Sequence, residues 1–192
     1  MRIAIIGTGN VGNTLAVALA KAGHDVNLGS RDPHDAGDGP PVVDVATAVA
    51  DSDVALLAVP PEAVDNLLTT HAGLFADTLI IDATNRFDGP VANASAAVAA
   101  AVPTARYARA FNTLGWENFA EPTIDGEQAD LVFSCPLGDR AVLEELITAV
   151  GLRPAYVGEN MQSVVDGALM LWFALVQANG GNRRLAFRIL GV

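Results

Sequence analysis

The sequence predicts an α/β fold, a mainly parallel sheet with helices on its faces and a small helical part at the C-terminal end. Three observations predict it. Short runs rich in Ile, Val and Leu alternate with longer alanine-rich segments of helical period. Those runs are apolar almost without interruption, as strands buried on both sides must be. The first of them, "RIAII", leads directly into a glycine-rich turn and an amphipathic helix, and a second strand follows on schedule.

Taken in order, strands are predicted over 2–6, 25–29, 54–59, 78–82, 105–110, 130–134 and 153–157. Helices are predicted over 10–22, 42–51, 61–70, 92–101, 115–120 and 139–150. "DPHDAGDGPP", residues 32–41, is a surface loop of Gly, Pro and Asp. Pro60-Pro61 stops the third strand and pre-sets the first turn of the next helix. After Val157 the alternation ends. A long helix is expected from about residue 160, with an apolar stripe through Val164, Ala168, Leu171, Trp172 and Leu175. The chain thus divides into a nucleotide-binding domain, 1–157, and a helical segment, 158–192, expected to serve the substrate pocket and dimerisation.

The 192 residues are 51% hydrophobic and 17% charged, enough to bury one domain's core. A net charge of −11 argues against non-specific nucleic-acid binding, which needs a basic face. With one cysteine, Cys135, neither an intrachain disulfide nor a cysteine-rich metal site can form, and no metal is expected. The strand-first N-terminus and the lack of a spanning apolar run predict a soluble, cytoplasmic protein without membrane contact.

Gly7-Thr8-Gly9-Asn10-Val11-Gly12 joins the first strand to the first helix. In a Rossmann-type, doubly wound fold the first glycine makes the tight turn and the second lets backbone N–H groups approach a pyrophosphate. The third lets the helix sit close to the strand. The helix then presents its positive end to the phosphates. The fold's ribose-binding acid closes the second strand, about 20 residues past the last glycine, and counting alone nominates Asp32. Placing the strand itself changes the assignment. It ends at Gly29 or Ser30, so Ser30 takes the acid's place and Asp32 falls in the loop as an N-cap candidate. Ser30 can donate to a 2′-phosphate, and Arg31 can add a charge-assisted bond. The preferred cofactor is therefore NADP.

These residues, with "LLAVP", "IIDATN", "ARAFNTL" and the closing "LWFALVQANGGNRRLAFRIL", resemble the coenzyme F420-dependent NADP oxidoreductases over nearly the whole chain. The chain also resembles related NADPH-dependent reductase domains that use flavin. The resemblance implies a homodimer and reversible hydride transfer between the deazaflavin's C5 and the nicotinamide's C4. It places Thr8 near the nicotinamide and pyrophosphate, and Ser30 and Arg31 at the 2′-phosphate. Val59 and Pro60 line the crevice, with Ala83 and Asn85 of "IIDATN" also at the cofactor. Ala110 to Leu114 form the floor where the rings stack, Asn112 and Thr113 supplying polar contacts and Leu114 an apolar face. This sequence departs from the pattern at three points. An acidic loop follows "SR", Arg86-Phe87 stands where a proline is common, and Asn112 stands where some relatives carry His.

Hydride transfer between planar rings needs positioning and a dry site, with no nucleophile or metal. The sequence offers no convergent acid–base pair. His24, His34 and His71 fall in turns or loops and are read as surface residues, and Cys135 as a core thiol. Asp82 is expected to orient its loop through backbone hydrogen bonds. Trp116 and Phe119 either wall a second-substrate pocket or belong to the core, and Trp172 and Phe173 are expected in a dimer core. Arg86, Arg106, Arg109, Arg183, Arg184 and Arg188 are either anion-binding groups for the deazaflavin's tail or surface ion pairs. Two alternatives stand beside deazaflavin reduction: an NADPH-dependent reductase of a flavin or a small carbonyl or imine, and a non-catalytic NADP-binding redox sensor.

Overall fold

The computed structural model describes residues 1–191. Strand β1 (Arg2–Ile6) is followed by α1 (Asn10–Lys21), β2 (Asp25–Ser30), β3 (Val42–Asp44), α2 (Val45–Val49) and β4 (Val54–Leu57). After a 3-10 turn at Pro61–Ala63 come α3 (Val64–His71), β5 (Leu79–Asp82), α4 (Ser95–Ala101) and β6 (Arg106–Arg109). Then follow α5 (Glu117–Ala120), the hairpin β7 (Thr123–Ile124) and β8 (Glu127–Gln128), β9 (Asp130–Phe133), α6 (Arg140–Ala149), β10 (Arg153–Tyr156) and α7 (Gln162–Ala178).

Six strands form one parallel sheet in the order β3-β2-β1-β4-β5-β6. The order reverses between β1 and β4, which opens a crevice at the carboxyl ends of the strands. Alternation along β1 explains the two-sided core. Ile3 and Ile5 pack on the face covered by α1 and α6, whereas Ala4 and Ile6 pack on the face covered by α2, α3 and α4. β9 and β10 pair parallel as a separate ribbon, joined to β6 by the antiparallel bridge of Arg109 with Ser134.

Two predicted elements are corrected. The helix expected over 42–51 begins as a strand, β3, and only Val45–Val49 is helical. Val42 and Val43 continue the sheet beside β2, and the Asp44 carboxylate then caps α2 through the Thr47 amide at 3.0 Å. Bonding to Thr47 also holds the Asp44 carboxyl below its ordinary pKa. The C-terminal helix stops at Ala178, and Gly180 and Gly181, both at positive φ, turn the chain back along the molecule. The face of α7 that packs inward is Val165, Leu169, Trp172 and Val176. Of the expected stripe only Trp172 is buried, while Val164, Leu171 and Leu175 are exposed beside Met170 and Phe173.

Candidate functional site

The glycine loop is shaped as its spacing demands. A Cβ on Gly7, whose φ is +121°, would lie 2.4 Å from the Ala58 carbonyl oxygen, and one on Gly12 would lie 2.0 Å from the Gly7 carbonyl oxygen. A Cβ on Gly9 would meet nothing within 4 Å, so the loop is open on that side. Asn13 Nδ2 braces the turn by donating to the Thr8 carbonyl at 2.6 Å. The first turn of α1 has neither a side-chain cap nor an acid, which leaves its amide donors and positive end for an anion.

Around this loop lies a cleft of about 1210 Å³. Its walls include Gly7, Thr8, Gly9, Asn10, Val11, Ser30, Arg31, Val59 and Pro60, nine of the residues nominated from sequence. β2 ends at Ser30, as expected. Asp32, however, expected outside the site, also lines the cleft, because its amide donates to Ser30 Oγ at 3.1 Å and folds the loop back. It caps no helix.

The sequence reading missed one wall. Glu62, Ala63, Asn66, Leu67, Thr70 and His71 face the cleft at helical spacing along the turn and α3. That periodicity could have found them, given that the preceding strand end already bordered the crevice. His71 is thus a cleft residue. His24 is also not a surface group, being packed 4.0 Å from Glu145 with its side chain 8% exposed.

The other nominated residues lie beside the cleft. Gly12 supports the loop from beneath. Ala83 is nearly buried, its amide donating to the Leu57 carbonyl at 3.1 Å, and Asn85 follows it at the strand ends. Asn112 and Thr113 are 2% and 0% exposed, and Leu114 is also buried. Asn112 Oδ1 and Nδ2 and Thr113 Oγ1 have no hydrogen-bond partner among the described residues. Phe111, just before them, is held at φ 60° and packs edge-on against Phe119 at 5.9 Å. Left-handed backbone at a bulky residue costs on the order of 1–3 kcal/mol and persists where its surroundings impose it. Trp116 lines the cleft, whereas Phe119 is core.

Most of the arginines considered for anion binding are engaged in ion pairs within the chain, all but Arg109 at the surface. Arg109 is fully buried against Asp82 and Asp166. Arg106 pairs with Asp139, Arg183 with Glu117, Arg184 with Glu121, and Arg188 with Glu127. Arg86 donates to the Pro61 carbonyl at 3.2 Å and remains at the strand ends. Among the described residues no carboxylate stands within ion-pair distance of Arg31.

Asp82 does orient its loop. One carboxylate oxygen accepts from the Thr84 amide and hydroxyl, the other from the Ala94 amide and from Tyr107 Oη. Burial, reinforced by that carboxylate, pushes the Tyr107 hydroxyl well above its ordinary pKa, so it stays a donor. Cys135 is buried, and burial with the nearby Asp139 pushes its thiol up to about 12. In the folded protein Cys135 should therefore resist a thiol-reactive disulfide such as DTNB at pH 8 and react stoichiometrically only after denaturation; rapid native labelling would contradict this.

The sheet order and the glycine-loop cleft define the class: a Rossmann-type dinucleotide-binding domain. Residues 2–86 match the family of NADP oxidoreductases that are coenzyme F420-dependent. The family that this segment matches is one of NADP-dependent oxidoreductases. Among solved structures the chain is similar to a candidate F420-dependent NADP reductase from Arthrobacter sp. FB24 (24% identity, 98% of this chain and 99% of that one, TM-score 0.83). It is also similar to a hypothetical protein, SMa0349, from Sinorhizobium meliloti (26% identity, 85% and 87%, TM-score 0.73). An Aspergillus terreus reductive aminase, solved with NADPH and ethyl levulinate, shares the fold at 21% identity and TM-score 0.70 over 94% of this chain but 62% of its own length.

Proposed function

We propose that the protein exchanges hydride between NADPH and a deazaflavin, coenzyme F420, with the adenosine half of NADPH at β2 and the nicotinamide at the ends of β4, β5 and β6. The observation that carries the reading is the cleft itself, in which an uncapped helix start and an open Gly9 face stand beside Ser30 and an Arg31 that pairs with no carboxylate among the described residues. NADPH supplies the hydride when bound; the chain binds it, orients it and keeps water from it. Ser30 Oγ already accepts from Asp32, which leaves its proton for a 2′-phosphate. Thr8 is assigned to the pyrophosphate and nicotinamide, and Val59 and Pro60 to the wall between the two halves. Ala83, Asn85, Asn112, Thr113 and Leu114 are assigned to the ring end, where the unpartnered atoms of Asn112 and Thr113 await a polar group.

Bleaching of the deazaflavin absorbance on mixing protein, NADPH and F420 tests this reading, and no bleaching by protein that binds NADPH would reject it. A second reading, reduction of a smaller carbonyl or imine, is favoured by the internal pairing of the arginines that an anionic tail would need. A panel of such acceptors with NADPH decides between the two. On the choice of nucleotide, Arg31→Ala should weaken NADPH by about tenfold or more and leave NADH nearly unchanged, as loss of a charge-assisted bond requires. Equal losses for both would show that Arg31 does not read the phosphate.

No helix among the described residues is long and apolar enough to cross a membrane. We further assign the protein to the cytoplasm as a homodimer formed by the 158–192 segment, since α7 leaves Val164, Leu171 and Leu175 exposed along one apolar stripe. Light scattering should return twice the chain mass for the wild type and the chain mass for Leu171→Glu; a monomeric wild type would reject the dimer.

A further inference from the structure

A fully buried guanidinium lies at the carboxyl ends of β5 and β6. Arg109 closes β6 in register with Asp82, the last residue of β5. Its guanidinium reaches three segments: α7, the end of β5 and the loop that follows β5. Nε and Nη2 face the Asp166 carboxylate of α7 at 2.9 and 2.8 Å. Nη1 stands 3.2 Å from the Asp82 carboxylate and donates to the Thr84 carbonyl. Nη2 also donates to Asn85 Oδ1 at 2.9 Å.

Asn85 passes this constraint on, because its Nδ2 donates to the Asn112 carbonyl at 3.0 Å. With Arg109 bound to the oxygen, only the amide nitrogen can turn toward that carbonyl, so the orientation of Asn85 is fixed. The same two carboxylates hold the far end of the loop. Asp166 accepts from Asn93 Nδ2 at 2.6 Å, and Asp82 accepts from the Ala94 amide at 2.7 Å. One buried ion triad therefore pins both ends of the loop 83–94, and through Asn85 it reaches the strained turn that carries Asn112.

Mere stability does not call for such a device, since well-packed apolar residues serve as well or better in place of a buried ion cluster. What an apolar cluster cannot do is set the direction of an amide. We propose that Arg109, anchored by Asp166, is a positioning residue that orients Asn85 and the Asn112 turn at the nicotinamide end of the cleft. The proposal rests on the NADP reading above.

The test compares two ligands, NADPH and 2′,5′-ADP, which carries the adenosine half alone. In Arg109→Lys and in the isosteric Asp166→Asn, NADPH should weaken by about tenfold, with a smaller fluorescence enhancement of the bound nicotinamide, while 2′,5′-ADP affinity stays within about twofold. Asn85→Ala leaves the triad intact and should reproduce the loss even if the triad variants fold poorly. Combining it with Asp166→Asn should add little, because both act through one amide. Equal losses for the two ligands, or no loss of NADPH, would overturn the positioning role and leave the NADP reading standing. A wild type that binds neither ligand would overturn that reading and this proposal with it.

Discussion

Gly12→Ala is expected to remove most of the dinucleotide affinity and part of the stability at once. The added methyl would sit 2.0 Å from the Gly7 carbonyl oxygen and 3.0 Å from its carbon, both backbone atoms of the loop that α1 must stay close to. No rotamer relieves that clash, so the first turn of α1 has to lift away from the strand. Overpacking of this kind costs about 1–3 kcal/mol, sometimes more. The same displacement withdraws the amide donors of α1 from a bound phosphate. Losing one or two charge-assisted bonds, at about 1.5–3 kcal/mol each, corresponds to roughly a hundredfold weaker NADPH binding. Gly9→Ala separates the two effects. Its Cβ meets no protein atom within 4 Å, so the melting curve should shift by no more than about 1 kcal/mol allows. The methyl nevertheless occupies the open side of the loop, and NADPH affinity should still fall. A Gly9→Ala protein that binds NADPH like the wild type would mean that the phosphates do not pass over this loop.

The fold was legible because a parallel strand buried on both faces writes a continuous apolar run, and β1, β4 and β5 all carry one. The glycine loop was legible because each glycine answers a separate steric demand. Ser30 could be placed because strand ends are set by the turn before them, here Gly23-His24-Asp25, more reliably than by a count from the motif. Asp32 was misplaced for a related reason: a hydrogen bond from its amide to a side chain two residues back bends the loop toward the cleft, and no pattern of apolar residues encodes that. β3 escaped notice because Val42-Val43-Asp44 reads as the start of a helix when its neighbour in the sheet is unknown. The face of α7 was misread because the helix is apolar nearly all round, so periodicity could not say which side meets the sheet. The arginines were hardest of all. Arg106, Arg109 and Arg183 are paired with acids 33, 57 and 66 residues distant in the chain, and only the tertiary fold brings those partners together.

Arg109→Met should be the most destabilising single substitution of a polar residue in the chain. The side chain is completely buried, and among the described residues it is the only cation that touches both Asp82 and Asp166. The two carboxylates would not suffer equally. Asp82 would keep its bonds from Thr84, Ala94 and Tyr107, whereas Asp166 would keep only the amide of Asn93. Removing one member of a buried ion cluster costs about 3–5 kcal/mol, because the remaining charge stays desolvated without its partner. Against a total stability of about 5–15 kcal/mol for a domain, that loss lowers the melting temperature markedly or leaves the protein unfolded at 37 °C. The cost lies in the orphaned charge more than in the lost contact, and the two causes can be told apart. Adding Asp166→Asn to Arg109→Met should recover about half of the lost stability in a denaturant melt, since the less supported carboxylate is then neutral. If the double variant were less stable than Arg109→Met alone, the guanidinium would be acting through packing, and the charge balance among β5, β6 and α7 would not be what holds this corner of the sheet together.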